Sequence, residues 1–157
     1  MNSVIALTTD IIQQLDLTPA TQPITTWQQQ ESLLQQEQTL QFQIDYQRSP
    51  EDPRELSEIP EIRLWFIRLD ARYPWFPFLL DWKAGELARY TAMLVPHQFH
   101  PRDGILYNPE ALEIFVMQKV FVLSDWLKQQ QIEGNSRLQA MTQMLGYELD
   151  DAFFALL

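Results

Sequence analysis

Residues 60–73 read PEIRLWFIRLDARY. Ile62, Trp65, Phe66, Leu69 and Tyr73 recur at i, i+3, i+4, i+7 and i+11, the spacing that gathers apolar side chains on one face of an α-helix. Pro60 suits the first turn, where its missing N–H is not needed, and Pro74 stops the helix. From this segment onward the chain reads as mainly helical. A second helix is expected from about Asp81 to Val95, ended by Pro96. Asn108 is placed to cap a long third helix, with Pro109 at its first position and Glu110 and Glu113 near the positive end of its dipole. Gly134 is expected to terminate that helix, and Gly146 divides two short ones at about 136–145 and 148–155.

Upstream the pattern changes. Ser3 to Thr8 is a β-branched run, hence a candidate strand. Thr25 and Thr26 offer capping-box signals for a glutamine-rich helix running to about Glu37. Leu40, Phe42, Ile44 and Tyr46 then alternate with polar residues, the period-two mark of a half-buried strand. Residues 1–48 thus read as a β-α-β-like segment, 49–60 (SPEDPRELSEIP) as a proline-rich linker within the domain, and 61–157 as the helical part. Ile105 to Tyr107 is a candidate third strand. The expected fold is α+β: a mainly helical single domain, 1–157, with a small sheet of two or three short strands.

Composition excludes much chemistry. The 157 residues include 21 acidic and 11 basic side chains, a net charge of −10, and no cysteine. Without cysteine there is no disulfide framework, thiol nucleophile or cysteine-ligated zinc or iron–sulfur site. Strong negative charge disfavours phosphate backbones and anionic lipid, so neither nucleic acid nor membrane is an expected partner. The amino terminus, MNSVIALTTD, has no basic residue and no long apolar core, so no targeting peptide is expected. The acidity is uneven. Residues 1–47 carry five acids and no Lys or Arg, 48–102 carry eight of each sign, and 103–157 carry eight acids against three bases. Seven of the eight central bases are arginines, suited to fixed carboxylate contacts.

Several positions could carry chemistry. On the Asn108-capped helix, Glu110, Glu113, Gln118, Ser124, Asp125, Lys128 and Gln129 share one arc with Ile114, Met117 and Phe121, so the helix is expected to be buried on most sides. Lys119 lies opposite, between Leu112, Phe115, Leu123 and Trp126. A buried ammonium needs a partner or loses its proton, and Asp70, Asp81 and Glu86 are the candidates. The alternative is a small enzyme that uses Lys119 as base or nucleophile, or a pair of those carboxylates as acid and base. His97 and His100, followed by Asp103, have a spacing that can gather a metal, which would make the protein a metal-binding regulator. No cofactor motif accompanies them.

The densest feature is Tyr73-Pro74-Trp75-Phe76-Pro77-Phe78-Leu79-Leu80-Asp81-Trp82. These rings are either an aromatic plug at a helix corner or a rigid protein-binding hot spot beside arginines. The candidate partner surface is Arg63, Arg68, Arg72, Trp75, Phe76, Phe78, Trp82 and Arg89. The tail, DDAFFALL at 150–157, is expected to dock into the core.

RLWFIRLDARYPWFPFLLDWKAGELARYTAMLVPHQF (63–99) and NPEALEIFVMQKVFVLSDWL (108–127), with EDPRELSEIPE before them, resemble the chlororespiratory reduction 6 family of cyanobacteria and chloroplasts. The resemblance covers roughly residues 45–130. It implies a non-catalytic assembly factor, or chaperone, of the photosynthetic NAD(P)H dehydrogenase-like complex. Its implied client is the ferredoxin-like iron–sulfur subunit I, bound before incorporation into the peripheral arm. The implied location is the cytoplasm of a cyanobacterium, or the stroma for plant relatives. The resemblance carries over no catalytic, ligand or cofactor residue, and self-association stays open. Lacking cysteine, the chain would hold a cluster-bearing subunit rather than build its clusters.

Overall fold

A computed structural model describes residues 3–157; Met1 and Asn2, the first two residues of the stretch read for a targeting signal, lie outside it. The fold is α+β and mainly helical, with two small sheets of two strands each among the described residues. The chain forms two compact units, one ending at Leu94 and one spanning Val95–Leu157.

In the first unit, β1 (Ser3–Thr8) pairs in parallel with β2 (Leu40–Asp45), from Ser3 opposite Leu40 to Thr8 opposite Asp45. Parallel neighbours need a crossover connection. Here it contains α1 (Thr9–Gln13), α2 (Thr18–Gln29) and a 3₁₀ turn at Leu33–Gln36. Strand alternation turns Ile5, Leu7, Leu40 and Phe42 into the core. The free edge of β2 is covered by chain that follows α3 (Pro60–Arg72): the Asp81 N–H donates to the Leu40 carbonyl at 2.8 Å, and the Thr39 N–H donates to Leu79 at 3.0 Å. Ile62, Trp65, Phe66 and Leu69 are buried as the stripe predicts. They meet α4 (Glu86–Leu94), whose Tyr90 stacks on Phe76 with ring centres 5.9 Å apart. Phe42 joins the same cluster, 4.8 Å from Phe66.

The second unit opens with an antiparallel hairpin, β3 (His97–His100) and β4 (Gly104–Tyr107). Next comes α5 (Pro109–Gln129), capped by Asn108, whose side-chain oxygen accepts from the Ala111 N–H at 3.0 Å. Then follow α6 (Asn135–Met144) and α7 (Asp151–Ala155), the latter capped by Asp150. Leu123, Leu127, Leu138, Met141 and Phe154 are buried. The tail docks only in part, because Leu156 is exposed.

Four details differ from the sequence reading. The 105–107 segment is a strand, but it pairs with His97–His100 rather than joining the first sheet. The glutamine-rich helix begins at Thr18, where Asp16 accepts from both the backbone N–H and the hydroxyl of Thr18; Thr26 is mid-helix and donates its hydroxyl to the Gln22 carbonyl. That helix ends at Gln29, before Glu31 enters a left-handed conformation. Residues 81–85 form a turn rather than the first turn of α4. The Asp81 carboxylate accepts from the Ala84 N–H, and Gly85 has φ +84°, which favours glycine. Finally, α5 stops at Gln129 because Gln131, not a glycine, takes the left-handed position. Gly134 instead precedes α6, and a Cβ there would stand 2.5 Å from a methyl of Leu127. Its small size serves close packing.

Candidate partner-binding surface

The aromatic segment divides between core and surface. Phe76 opens a one-turn 3₁₀ element, Phe76–Leu79, and Phe78 lies within it; Pro77 and short i→i+3 hydrogen bonds turn both rings inward. Both are buried, as are Tyr73 and Trp82. The Trp82 indole N–H donates to the Pro77 carbonyl at 2.9 Å, which satisfies the polar group of a buried ring. Trp75 is half-buried, and its ring centre lies 5.4 Å from that of Tyr73.

The arginines divide too. Arg63 donates to the Met93 carbonyl at 3.1 Å. Arg89 pairs with Glu86 at 2.8 Å and donates to the Phe42 carbonyl at 3.3 Å, so it helps close the edge of β2. Arg68 and Arg72 are exposed, with the Arg72 guanidinium 5.5 Å above the Tyr73 ring. On α3 they share an outward face with Leu64 and Ile67, which are 41% and 43% exposed. Positions 64, 67, 68, 71 and 72 form one arc opposite the buried stripe. The sequence carries a signal for the exposure of Leu64 and Ile67. The stripe Ile62, Trp65, Phe66, Leu69 and Tyr73 already fills the inner face, so any further apolar residue on that helix must point away from it.

The groups considered for catalysis have other occupations. Asp70 accepts from the Tyr90 hydroxyl at 2.7 Å; burial, and then the Asp70 charge, push the Tyr90 phenol well above its usual range. Asp81 accepts from the Gln41 amide at 3.0 Å, which lowers its pKa. Burial pushes the Glu86 carboxyl up, against the opposing pull of Arg89 and the Phe42 backbone. Glu86 and Arg89 line a narrow crevice of about 150 Å³ with Phe42, Ile44, Phe66, Tyr90 and Met93, and it has no room for a water molecule. In the second unit Lys119 is 0% exposed, with its ammonium 5.5 Å from the centre of the Phe115 ring. A strand puts residues three apart on opposite faces, so β3 separates His97 from His100. His97 bonds through Nδ1 to the Val95 carbonyl, whereas His100 accepts through Nδ1 from the backbone N–H groups of Arg102 and Asp103. Among the described residues no group of three or more His, Asp or Glu is placed to hold a metal ion.

The family described as Chlororespiratory reduction 6 matches residues 7–156, nearly the whole chain. The chain belongs to the chlororespiratory reduction 6 family. That family is one of assembly factors, and membership gives the chain a role in the biogenesis of the NAD(P)H dehydrogenase-like complex. No solved structure matches the chain. Among the described residues, no helix of this family member is long and apolar enough to cross a membrane.

Proposed function

We propose that the protein is a non-catalytic assembly factor that binds the ferredoxin-like iron–sulfur subunit of the NAD(P)H dehydrogenase-like complex before it enters the peripheral arm. It acts in the cytoplasm of a cyanobacterium, or in the stroma where the family occurs in plants. Family membership across residues 7–156 carries this reading. Composition supports it: a chain with no cysteine can hold a cluster-bearing subunit without competing for its iron. For the contact surface we propose the outward face of α3, with Leu64 and Ile67 as apolar contacts and Arg68, Arg72 and Trp75 around them. Arg and Trp are enriched among residues that dominate binding energy. Co-purification with the tagged ferredoxin-like subunit tests the proposal. A complex that survives washing and is lost in Arg68→Glu with Arg72→Glu is expected; no complex at micromolar concentrations of both proteins would sink it.

A further inference from the structure

Contrary to the expectation of burial on most sides, α5 leaves one face open. Val116, Val120, Leu123 and Leu127 are buried, but Ile114 is 71% and Phe121 51% exposed. Met117, between them, is half-buried. Steps of three and four residues align Ile114, Met117 and Phe121 along the centre of the outward face, the a/d spacing at which a second helix packs alongside the first. Glu113 lies on one flank, Gln118 and Asp125 on the other, and Glu110 at the amino-terminal end. All three carboxylates are exposed, and no ion pair engages any of them among the described residues. Lys128, the only exposed cation on this helix, donates to the Leu157 carbonyl at 2.7 Å.

We propose that this face docks an amphipathic helix of a partner protein, with apolar residues seated on Ile114, Met117 and Phe121 and Lys or Arg beside Glu113 and Asp125. Charge complementarity selects the occupant. Flanking positions of paired helices choose partners by opposite charge, and here Glu110, Glu113 and Asp125 are negative, while the one cation, Lys128 at the carboxyl end, is engaged by the Leu157 carbonyl. The surroundings reinforce the choice, because residues 95–157 carry eight acids against four bases. An acidic helix would meet repulsion on both sides. The proposal does not depend on the identity of the client proposed above.

The test uses the full chain and two labelled synthetic helices of about three heptads, with leucine at a and d and lysine or glutamate elsewhere. Anisotropy titration should show the lysine peptide binding at least about tenfold more tightly than the glutamate peptide, and more weakly as salt rises. Ile114→Ser with Phe121→Ser should weaken the lysine peptide about tenfold or more. Asp10→Asn with Glu31→Gln, which removes equal charge elsewhere, should change it less than about twofold. Equal loss in both variants, or none in the first, overturns the proposal. So does a wild-type dimer, seen by sedimentation, that the serine pair dissociates, since the occupant would then be a second copy. Should the serine pair melt early, Glu113→Gln with Asp125→Asn replaces it. At least about threefold weaker binding is then required, with melting unchanged.

Discussion

α3 and α5 each bury one stripe of apolar side chains and hold a second, smaller one in water. On α3 the outer pair is Leu64 and Ile67; on α5 it is Ile114 and Phe121. The charges beside them differ in balance, with Glu61 the exception on α3 and Lys128 on α5. Exposed Arg68 and Arg72 accompany the first pair, and exposed Glu110, Glu113 and Asp125 surround the second. Apolar area supplies the drive to associate, whereas the sign of the rim sets which partner approaches and which is rejected. One acidic chain thus exposes apolar side chains in two different charge settings. The aromatic segment beside α3, which looks more adhesive in the sequence, keeps most of its rings inside.

The sharpest way to break this contrast is Phe76→Ala. Its ring is fully buried against Phe42 and Tyr90, so the substitution should destabilise the fold by about 3–5 kcal/mol in urea denaturation. Unchanged stability with lost client binding would move the interface back to the aromatic segment. Next in size, Arg68→Glu with Arg72→Glu should weaken client binding by about 2 kcal/mol or more while leaving the melting temperature within a few degrees. Equal loss from Ile114→Ser with Phe121→Ser would mean that both faces grip one partner. Tyr90→Phe removes the hydrogen bond to Asp70 and should cost about 1–2 kcal/mol, with client binding unaltered in the surviving fold.

The smallest expected effect concerns pH. Burial raises the Glu86 carboxyl above its ordinary value of 4.5, so the folded state takes up its proton more readily than the unfolded chain does. Stability linked to this group is fully present below pH 4.5 and is lost as pH rises through the higher folded value. Glu86→Gln does not titrate. Its stability relative to the unsubstituted protein should therefore be more favourable at about pH 7 than at about pH 4, read from urea midpoints. A difference that stays constant or reverses would show that Arg89 and the Phe42 backbone outweigh burial at this site.

Local signals carried far along the chain. The apolar spacing of residues 62–73 identified α3 and its inner face, and Asn108-Pro109 marked the start of α5. Period-two alternation located Leu40–Asp45. Failures came where a nearby residue outcompeted the expected signal. The α2 helix starts at Thr18, held by Asp16, rather than at Thr25 or Thr26, and Gln131 adopts the left-handed position assigned to a glycine. The pairing of Ile105–Tyr107 was illegible for another reason, because strand partners are chosen by register and turn geometry rather than by the strand itself.

Of the proposed surface, the sequence named Arg68, Arg72 and Trp75 but placed Phe76, Phe78 and Trp82 beside them. By itself it determined α3 and the start of α5, the alternation of Leu40–Asp45 and the absence of any thiol to ligate iron, because these follow from backbone periodicity and composition. Only the tertiary structure decided that those three rings turn inward while Ile114 and Phe121 stay in water. Periodicity ranks the side chains around one helix, but whether a face is covered depends on residues distant in sequence that pack against it.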